Sequence, residues 1–572
     1  MNNWKQAVLP CLLLAIVALI PQFYLCFERG AKWHGGFAYF DADEFGYAAY
    51  LQAVIDGKGR HADPYTGKQS KSETLYSIQF FPPYALSLLG WLGLTASSIF
   101  LLLVPLVAII SGLLIFALIH EVTGNSKIAA AGVLGVLILA ALAAIPIPGL
   151  APSAKRGFGQ FPFLRRYLPA FPFMLLLAFT LSLWRGLTKS LWWAVGSGIF
   201  FALLVYSYFY LWTAALAWSA LFLFLWILFQ PDRRRTIKVS GVLAAFAVSV
   251  VPWIWLVSNR SKSFDGDQVL RHTRALDLFQ TAEVAGAVIV ICIAWLRGWK
   301  DRRLIFIASL ALTPFILFNQ QVITGRSLQS FHYAQFVTNY WIIMAIFIAL
   351  GMWRTMPKRI PNLLLVGSLV IGLMLSVQAA NSSYAVSARV DQAQGLKKRL
   401  DPGVVFSPNI ALMYALPGQN QPLWAQHSYT FANLTLLEQR QRFFQFLYYQ
   451  KLPVDQLKLA LEKDSTSRVE VFGSARANEL LSQDHKPITD AEINEAVNEY
   501  VEFSKSFTPM VTLSYAVVAP GDDLTNLDLW YERDSGESFE DLTIYRLKLR
   551  KPEGFPSSTL VRTGLAEIAQ RK

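Results

Sequence analysis

The sequence predicts a polytopic α-helical membrane protein, with about eleven transmembrane helices, followed by a C-terminal soluble α/β domain. Three observations support this fold class. Of the 572 residues, 54 % are hydrophobic and only 16 % are charged. Apolar runs of about 17–22 residues, long enough to cross a bilayer as helices, recur through residues 1–379. From about Asn381 the composition is that of a soluble protein, so we predict a membrane domain over 1–379 and a second domain over 380–572.

Lysine and arginine residues indicate the orientation of the spans. They are concentrated in alternate loops, such as 231–238 and 297–303, and the positive-inside rule assigns those loops to the cytoplasm. The first apolar run lacks an Ala-x-Ala-like cleavage site and is interpreted as a retained span. We therefore expect a multi-pass protein of the inner (plasma) membrane with a cytoplasmic N-terminus and a periplasmic or extracellular C-terminal domain. The predicted spans are 7–27, 98–119, 127–145, 168–184, 190–207, 210–229, 239–257, 282–296, 304–319, 336–352 and 361–379.

The net charge of +13 is unevenly distributed. Residues 1–379 carry +16 and residues 380–572 carry −3, so the basicity belongs to the membrane domain. It reflects cytoplasmic loops and contains no stripe of the kind that binds nucleic acid, which we therefore exclude as a partner. The three cysteines, Cys11, Cys26 and Cys292, lie in apolar runs and have neither disulfide nor zinc-site spacing.

Three acidic residues precede a predicted helix in the loop 28–79. Asp41, Asp43 and Glu44 fall within four positions, Tyr47 begins the buried face of the helix, and Gly57 ends it. Carboxylates beside a membrane span cost free energy and so indicate a function. The alternative is that one acid is only an N-cap, and Asp41 and Glu44 also have capping-box spacing. Capping by one acid does not exclude chemistry at its neighbour.

Basic residues also lie in loops that the topology places outside, against the positive-inside rule. This placement favours a site for an anionic phosphate at the membrane surface. The alternative for each residue is a lipid headgroup contact or a pair with Asp265, Asp267 or Asp277. The residues are Lys155, Arg156, Arg165 and Arg166; Arg260, Lys262, Arg271, His272 and Arg274; and Arg326 and His332.

Two further regions have local signals. The segment 80–94 is apolar but too short to span, so we expect a helix lying at the membrane interface with Pro83 near its first turn. In the C-terminal domain, Thr435 with Glu438 and Thr489 with Glu492 have capping-box spacing. Strands are predicted at Val404–Phe406, Val511–Val518, Leu527–Tyr531 and Leu542–Leu549.

The motif Asp43-Glu44-x-x-Tyr47-Ala48, followed by Gly57 and by Phe81-Pro82-Pro83-Tyr84, resembles the first external loop of GT-C glycosyltransferases. Members such as bacterial aminoarabinose transferases and protein mannosyltransferases have a cytoplasmic N-terminus, 11 to 13 spans and often an external C-terminal domain. The resemblance implies that the first acid of the pair is catalytic, which makes Asp43 the first choice, followed by Asp41 and Glu44. It also implies a sugar donor carried on a polyprenyl phosphate.

The second external loop, 146–167, departs from one branch of this family. It contains no Asp or Glu, whereas the metal-dependent oligosaccharyl-transferring branch uses acids there. We therefore expect no cofactor and no metal site of that kind. Asp265 and Asp267 are the only other candidate cation ligands, and Asp-Gly-Asp in a loop is more often a turn.

Taken with these patterns, the resemblance implies an inverting glycosyltransferase that moves a sugar from a polyprenyl-phosphate donor to a glycan, lipid or protein acceptor at the external membrane face. Asp43 would take the acceptor proton. The predicted substrate-binding residues are Arg326, His332, Arg271, His272, Arg165, Arg166 and Tyr47. The alternatives are a secondary transporter or lipid-glycan flippase, which favours internal repeats and charges within spans, and a non-catalytic sensor with an external ligand-binding domain.

Overall fold

The computed structural model describes residues 4–143, 165–260, 269–277, 281–298, 301–328, 330–353, 355–425, 434–477 and 487–550. Most of the first 400 residues are helical. In chain order the helices are α1 (Lys5–Arg29), α2 (Asp43–Ile55), α3 (Leu75–Ile78), α4 (Phe81–Ser87), α5 (Ala96–Thr123), α6 (Ser126–Ala143), α7 (Ala170–Thr188), α8 (Trp192–Val205), α9 (Phe209–Phe229), α10 (Arg233–Ala247), α11 (Val250–Ser258), α12 (Thr281–Arg297), α13 (Arg302–Phe318), α14 (Gln321–Thr324), α15 (Ser330–Tyr333), α16 (Asn339–Gly351), α17 (Ile360–Lys397) and α18 (Ile410–Ala415).

Each of the eleven predicted spans lies on helical structure, which confirms the polytopic fold class. In the part of the chain that the structure describes, nine helical stretches are long and apolar enough to cross a membrane, with α10 and α11 counted as one stretch. The helix α8, with 14 residues, and α12, with 17 residues, are shorter. The protein is therefore a multi-pass membrane protein.

The helix ends follow local capping chemistry. The hydroxyl of Thr95 accepts the backbone N–H of Ser98 at 3.3 Å and begins α5, and Gly124, with φ of +76°, ends it. In the core, α1 packs against α5, α6 and α17. A Cβ on Gly286 of α12 would lie 1.8 Å from the carbonyl oxygen of Ala311 in α13, so the two helices meet there only because this residue is glycine.

The loop between α1 and α5 contains two short helices. The helix α2 begins at Asp43, and Gly57 follows its end with φ of +75°, as predicted. The helix α4 has Pro82 and Pro83 in its first turn and continues as a 3₁₀ helix, Leu88–Leu92. The predicted helix in 80–94 is therefore present, and its position at the membrane interface stays a prediction.

The helix α17 has 38 residues and runs without interruption past position 379 to Lys397. Its first half exposes apolar side chains such as Leu363 and Met374. Its last turns instead bury Val390 and Leu396 against the rest of the protein. The last predicted span and the start of the C-terminal domain are thus one continuous helix, and the boundary between 379 and 380 stays a prediction.

The C-terminal region contains a six-stranded sheet. Two earlier strands, β1 (Val269–His272) and β2 (Arg326–Leu328), form a separate antiparallel ribbon. The strands of the sheet are β3 (Val404–Phe406), β4 (Gln421–Pro422), β5 (Tyr515–Val518), β6 (Tyr531–Arg533), β7 (Glu537–Phe539) and β8 (Leu542–Leu549). Their order across the sheet is β4–β3–β5–β8–β6, and β7 also pairs with β8. The strand β3 is parallel to β4 and β5, and β8 is antiparallel to β5, β6 and β7.

Helices pack beside this sheet, and both predicted capping boxes, Thr435 with Glu438 and Thr489 with Glu492, are present. The strand predicted at 527–531 is wrong over most of its length. The side chain of Asp523 accepts the N–H of Thr525 at 2.9 Å, and this local turn competes with an extended chain. The helices are Leu436–Tyr449, Val454–Lys463, Ser465–Phe472, Ser474–Ala477, Asp490–Lys505 and Thr525–Asp528.

Candidate active site

The three predicted acids lie at the start of α2 in different environments. Glu44 is completely buried, whereas the side chains of Asp41 and Asp43 are 24 % and 39 % exposed. The Oδ1 atom of Asp41 accepts the backbone N–H of Asp43 at 3.0 Å, which is the local capping role considered from the sequence. Asp43 is therefore the most accessible acid of the three.

Glu44 is occupied by Arg166. The Nε and backbone N of Arg166 both donate to Oε1 of Glu44 at 2.9 Å, and Nη2 donates to Oε2 at 2.8 Å. The N–H of Phe40 also donates to Oε2, at 3.2 Å. The guanidinium of Arg166 lies over the Phe37 and Phe40 rings, 4.9 and 4.4 Å from their centroids, and the residue is 2 % exposed. This buried pair holds Arg166 to the start of α2.

The neighbouring pair joins Asp43 to Arg165. The Nη1 atom of Arg165 donates to Oδ2 of Asp43 and lies 3.4 Å from Oδ1 of Asp41. Its Nη2 atom donates to the hydroxyl of Tyr208 at 3.2 Å. The guanidinium lies 5.0 Å from the centroid of the Phe336 ring. Arg165 is 4 % exposed, so one buried cation connects α2 with residues next to α9 and α16.

The electrostatic environment makes Asp43 a stronger base than a free aspartate. Although part of its side chain is accessible, burial among protein atoms raises the pKa of Asp43 to about 6, and the nearby Arg165 opposes that rise. The charge of Asp41 raises the pKa of Asp43 further. Asp43 is then mainly ionised at neutral pH while retaining appreciable affinity for a proton.

Tyr47 lies one turn after Asp43 and is 4 % exposed. Its ring centroid lies 5.7 Å from that of Tyr76 and 5.3 Å from that of Tyr167, and the Arg165 guanidinium is 5.7 Å from it. Burial raises the pKa of the Tyr47 phenol well above its ordinary value, so the group stays protonated. The helix turn that follows Asp43 therefore packs within a cluster of three tyrosine rings, Tyr47, Tyr76 and Tyr167.

His332 reaches the same region from another part of the chain. Its ring centroid lies 4.5 Å from that of Tyr210 and 5.4 Å from that of Phe336. Phe336 in turn contacts Arg165. The structure thus brings Arg165, Arg166 and Tyr47 into contact with the predicted acids and places His332 one aromatic ring away.

The other predicted substrate-binding cations, Arg271, His272 and Arg326, belong to the β1–β2 ribbon. Arg271 lies in β1, and His272 lies opposite Arg326 in the register. The side chains of His272 and Arg326 are exposed. Among the residues that the structure describes, no ion pair joins Arg326 to the acidic cluster, and the role of this ribbon stays a prediction. Arg274 donates to the carbonyl oxygens of Val322 and Ile323 at 2.8 and 2.9 Å and so holds the end of α14.

The structure describes only part of the predicted anion and cation ligands. Lys155, Arg156, Lys262, Asp265 and Asp267 lie outside the described residues. Within those described, no three His, Cys, Asp or Glu side chains are grouped so that they could hold a metal ion.

Three solved structures are similar to this chain over most of its length, each with a TM-score below 0.5. One is ArnT from Cupriavidus metallidurans in the apo state, with 12 % identity, a TM-score of 0.48, and coverage of 93 % of this chain and 97 % of that chain. ArnT bound to undecaprenyl phosphate has a TM-score of 0.47 with the same identity and coverage. A third is the archaeal oligosaccharyltransferase AglB from Archaeoglobus fulgidus in complex with an inhibitory peptide and a dolichol-phosphate, with 11 % identity, a TM-score of 0.45, and coverage of 97 % and 75 %.

No family model matches the sequence, and a search of curated proteins finds no match.

Two residues at the site had not been predicted from the sequence. Tyr208 belongs to no recognisable sequence motif, yet its hydroxyl accepts a hydrogen bond from Arg165. The ring of Phe336 lies against the same guanidinium. The available signal was the tyrosine-rich run Tyr206-Ser207-Tyr208-Phe209-Tyr210 at the start of α9. Phenol groups at the end of a membrane span combine an apolar ring with a hydrogen-bonding group, which suits them to the edge of a polar site.

Proposed function

We propose that this protein is an inverting glycosyltransferase that moves a sugar from a polyprenyl-phosphate donor to a glycan, lipid or protein acceptor. The reaction would take place at the external face of the inner (plasma) membrane. The observation that carries the proposal is the accessible carboxylate of Asp43, held by the buried Arg165 at the edge of a helical membrane bundle. A soluble acceptor and a lipid-borne donor can meet at such an edge.

In the proposed reaction Asp43 is the general base. It accepts the proton of an acceptor hydroxyl or amine while that oxygen or nitrogen attacks the anomeric carbon of the sugar. The bond from this carbon to the phosphate oxygen breaks as the new bond forms, and the phosphate leaves with the electron pair. Attack from the side opposite the phosphate inverts the anomeric centre. A polyprenyl phosphate is a weak base, so its departure needs no general acid.

The cations have separate roles in this scheme. Arg165 orients Asp43 and stabilises its ionised form through the ion pair. The developing charge of the leaving phosphate would be stabilised by the exposed Arg326 and His272 and by Arg271 of the same ribbon. His332, which follows the ribbon in the chain, would contribute to the same stabilisation. The lipid tail of the donor would lie in the bilayer, beside the apolar faces of the spans.

The test is sugar transfer by the purified full-length protein in lipid vesicles, using radiolabelled polyprenyl-phosphate sugars and an envelope extract as acceptor. Asp43→Asn keeps the shape of the side chain and removes its basicity, so we expect turnover to fall at least about 100-fold. The matched control is Asp56→Asn, which removes an exposed acid after the end of the same helix. Near wild-type turnover of Asp43→Asn would overturn the assignment of the base. Movement of the lipid-linked sugar without a covalent product would overturn the transferase.

The external position of the site has its own test. Glu537 lies in β7 and its side chain is 57 % exposed. In a protein whose three native cysteines are replaced, Glu537→Cys should react with a membrane-impermeant maleimide applied to sealed cells that retain only the inner membrane. Labelling only after lysis would contradict the orientation.

A further inference from the structure

The irregular segment that leads from α1 to α2 is held by a buried carboxylate of α17. Asp391 is 0 % exposed, and its Oδ1 atom accepts the backbone N–H groups of His34 and Gly36, both at 2.8 Å. Its Oδ2 atom accepts Nε of Arg29, at the end of α1, at 2.9 Å. A Cβ on Gly36 would lie 2.4 Å from the Cα of Asp391, so the segment and α17 are in direct backbone contact.

The C-terminal domain adds a second carboxylate to this anchor. Glu540 occupies the turn between β7 and β8 and has a φ of +56°. Its Oε2 atom accepts Nη1 of Arg29 at 2.8 Å and Nε2 of Gln392 at 2.8 Å, and its Oε1 atom lies 2.8 Å from Nε2 of His34. Hydrogen bonds from Arg29, Gln392 and His34 outweigh burial and lower the pKa of Glu540 to about 2. Arg29, with a side chain only 9 % exposed, is thus enclosed between the carboxylates of Asp391 and Glu540.

Further side chains hold the segment from this anchor to the acids. Gln22 of α1 donates to the carbonyl of Gly36 at 3.1 Å and accepts the N–H of Ala38 at 2.7 Å. The hydroxyl of Ser387, one helical turn before Asp391, accepts the N–H of Tyr39 at 2.9 Å. The next N–H, of Phe40, is bonded to Glu44. In this stretch without regular secondary structure, the backbone N–H groups of residues 34, 36, 38, 39 and 40 are therefore all bound by side chains.

We propose that Asp391 is a positioning residue for the reaction, because it fixes residues 34–39 and thereby sets the place at which α2 begins and Asp43 meets Arg165. This inference rests on the proposed function. It gives the C-terminal domain a role in catalysis without contact with the substrates, since Glu540 secures the same anchor. Among the described residues, the Asp391 carboxylate is hydrogen-bonded to Arg29, His34 and Gly36 rather than to the acidic cluster, so its role is positioning and not catalysis.

The experiment compares Asp391→Ala and Asp391→Asn with the wild type in lipid vesicles. We expect Asp391→Ala to lower kcat about 10- to 100-fold with the donor KM changed less than twofold. Because Asp43 then loses its alignment with Arg165, the acid limb of the pH–rate profile should move to higher pH. Asparagine retains an oxygen that accepts the two backbone N–H groups, although its NH2 group cannot accept from Arg29, so Asp391→Asn should recover part of the kcat that Asp391→Ala loses. The matched control is Glu537→Gln, which removes an exposed carboxylate from the same β7–β8 hairpin.

Hydrogen exchange gives a readout that does not depend on activity. In Asp391→Ala the amides of residues 34–40 should exchange at least tenfold faster, while those of the α5 and α6 core stay unchanged. Ser387→Ala should have the same effect confined to Tyr39 and its neighbours. If kcat falls only in proportion to the folded fraction, with the pH profile unchanged, or if 34–40 keep wild-type exchange, the positioning role is wrong. Absence of transfer by the wild type would instead refute the proposed function and leave the exchange result standing.

Discussion

Arg166 encloses the carboxylate of Glu44 with its Nε, Nη2 and backbone N–H groups, all at 2.8–2.9 Å, in a place that solvent does not reach. The preceding residue of each segment, Arg165 and Asp43 respectively, forms the corresponding pair, in which Asp43 is accessible. Two consecutive acids therefore meet two consecutive arginines. The buried pair sets the position of the accessible one, and only the accessible one is free for chemistry.

Removal of the buried charge at Glu44 should destabilise the protein. Glu44→Gln leaves the Arg166 guanidinium buried without a counter-charge, which costs about 3–5 kcal/mol. We expect the thermal unfolding midpoint of Glu44→Gln to fall clearly below that of the wild type when both are measured in the same detergent. The double variant Glu44→Leu with Arg166→Met removes both charges and should recover much of that loss. An unchanged midpoint for Glu44→Gln would contradict the structural role of the pair.

The pH dependence of turnover should follow the ionisation of Asp43. A base acts only when deprotonated, and the pKa of Asp43 is raised to about 6. Turnover should then be nearly constant above pH 7 and fall tenfold per pH unit below about 6. The measurement is kcat against pH at saturating donor, with stability checked at each pH. A profile that is flat down to pH 4.5 would exclude Asp43 as the titrating base.

Arg165 lowers the pKa of Asp43, and its removal should therefore shift the acid limb upward. Arg165→Met should move the midpoint to higher pH and lower kcat, because the pair no longer orients the carboxylate. Arg165→Lys retains the charge but lacks the second N–H group that reaches Tyr208. Its pH profile should therefore lie between those of the wild type and Arg165→Met. A limb that stays at the wild-type pH in Arg165→Met would show that the two groups are not coupled.

Removal of the exposed cation at Arg326 should weaken donor binding. A charged hydrogen bond to phosphate contributes about 1.5 kcal/mol, so Arg326→Ala should raise the donor Kd about tenfold and do so less at high salt. Lys32→Ala, which removes an exposed charge in the first loop, is the control of equal net charge. Equal donor affinities for the wild type and Arg326→Ala would remove this residue from the phosphate site.

Local signals in the sequence were sufficient for most of the elements and for the identity of the acidic stretch, although the strand predicted at 511–518 is present only as β5, Tyr515–Val518. The apolar runs, the two capping boxes and Gly57 each act within a few residues, and each appears where predicted. The strand prediction at 527–531 failed because the side chain of Asp523 binds the backbone N–H of Thr525 and favours a turn and a short helix there. The alternating apolar pattern does not reveal this local hydrogen bond.

Pairings between distant residues could not be predicted in the same way. Asp43 and Arg165 are 122 positions apart, and their register depends on how α2 packs beside the bundle rather than on either local sequence. The anchor at Asp391 was concealed for a related reason. The change to polar composition near Asn381 indicates where apolar burial in lipid ends, but a helix continues through that change as long as its backbone and side chains are satisfied.

The continuity of α17 makes the phase of this helix a determinant of function. One residue inserted between positions 380 and 386 would turn everything beyond it by about 100° and advance it by about 1.5 Å. The carboxylate that now faces Gly36 would then point away from it, although no residue of the acidic cluster had changed. An insertion in this part of α17 should therefore disturb the acidic cluster from a distance, through the rotation of a single helix.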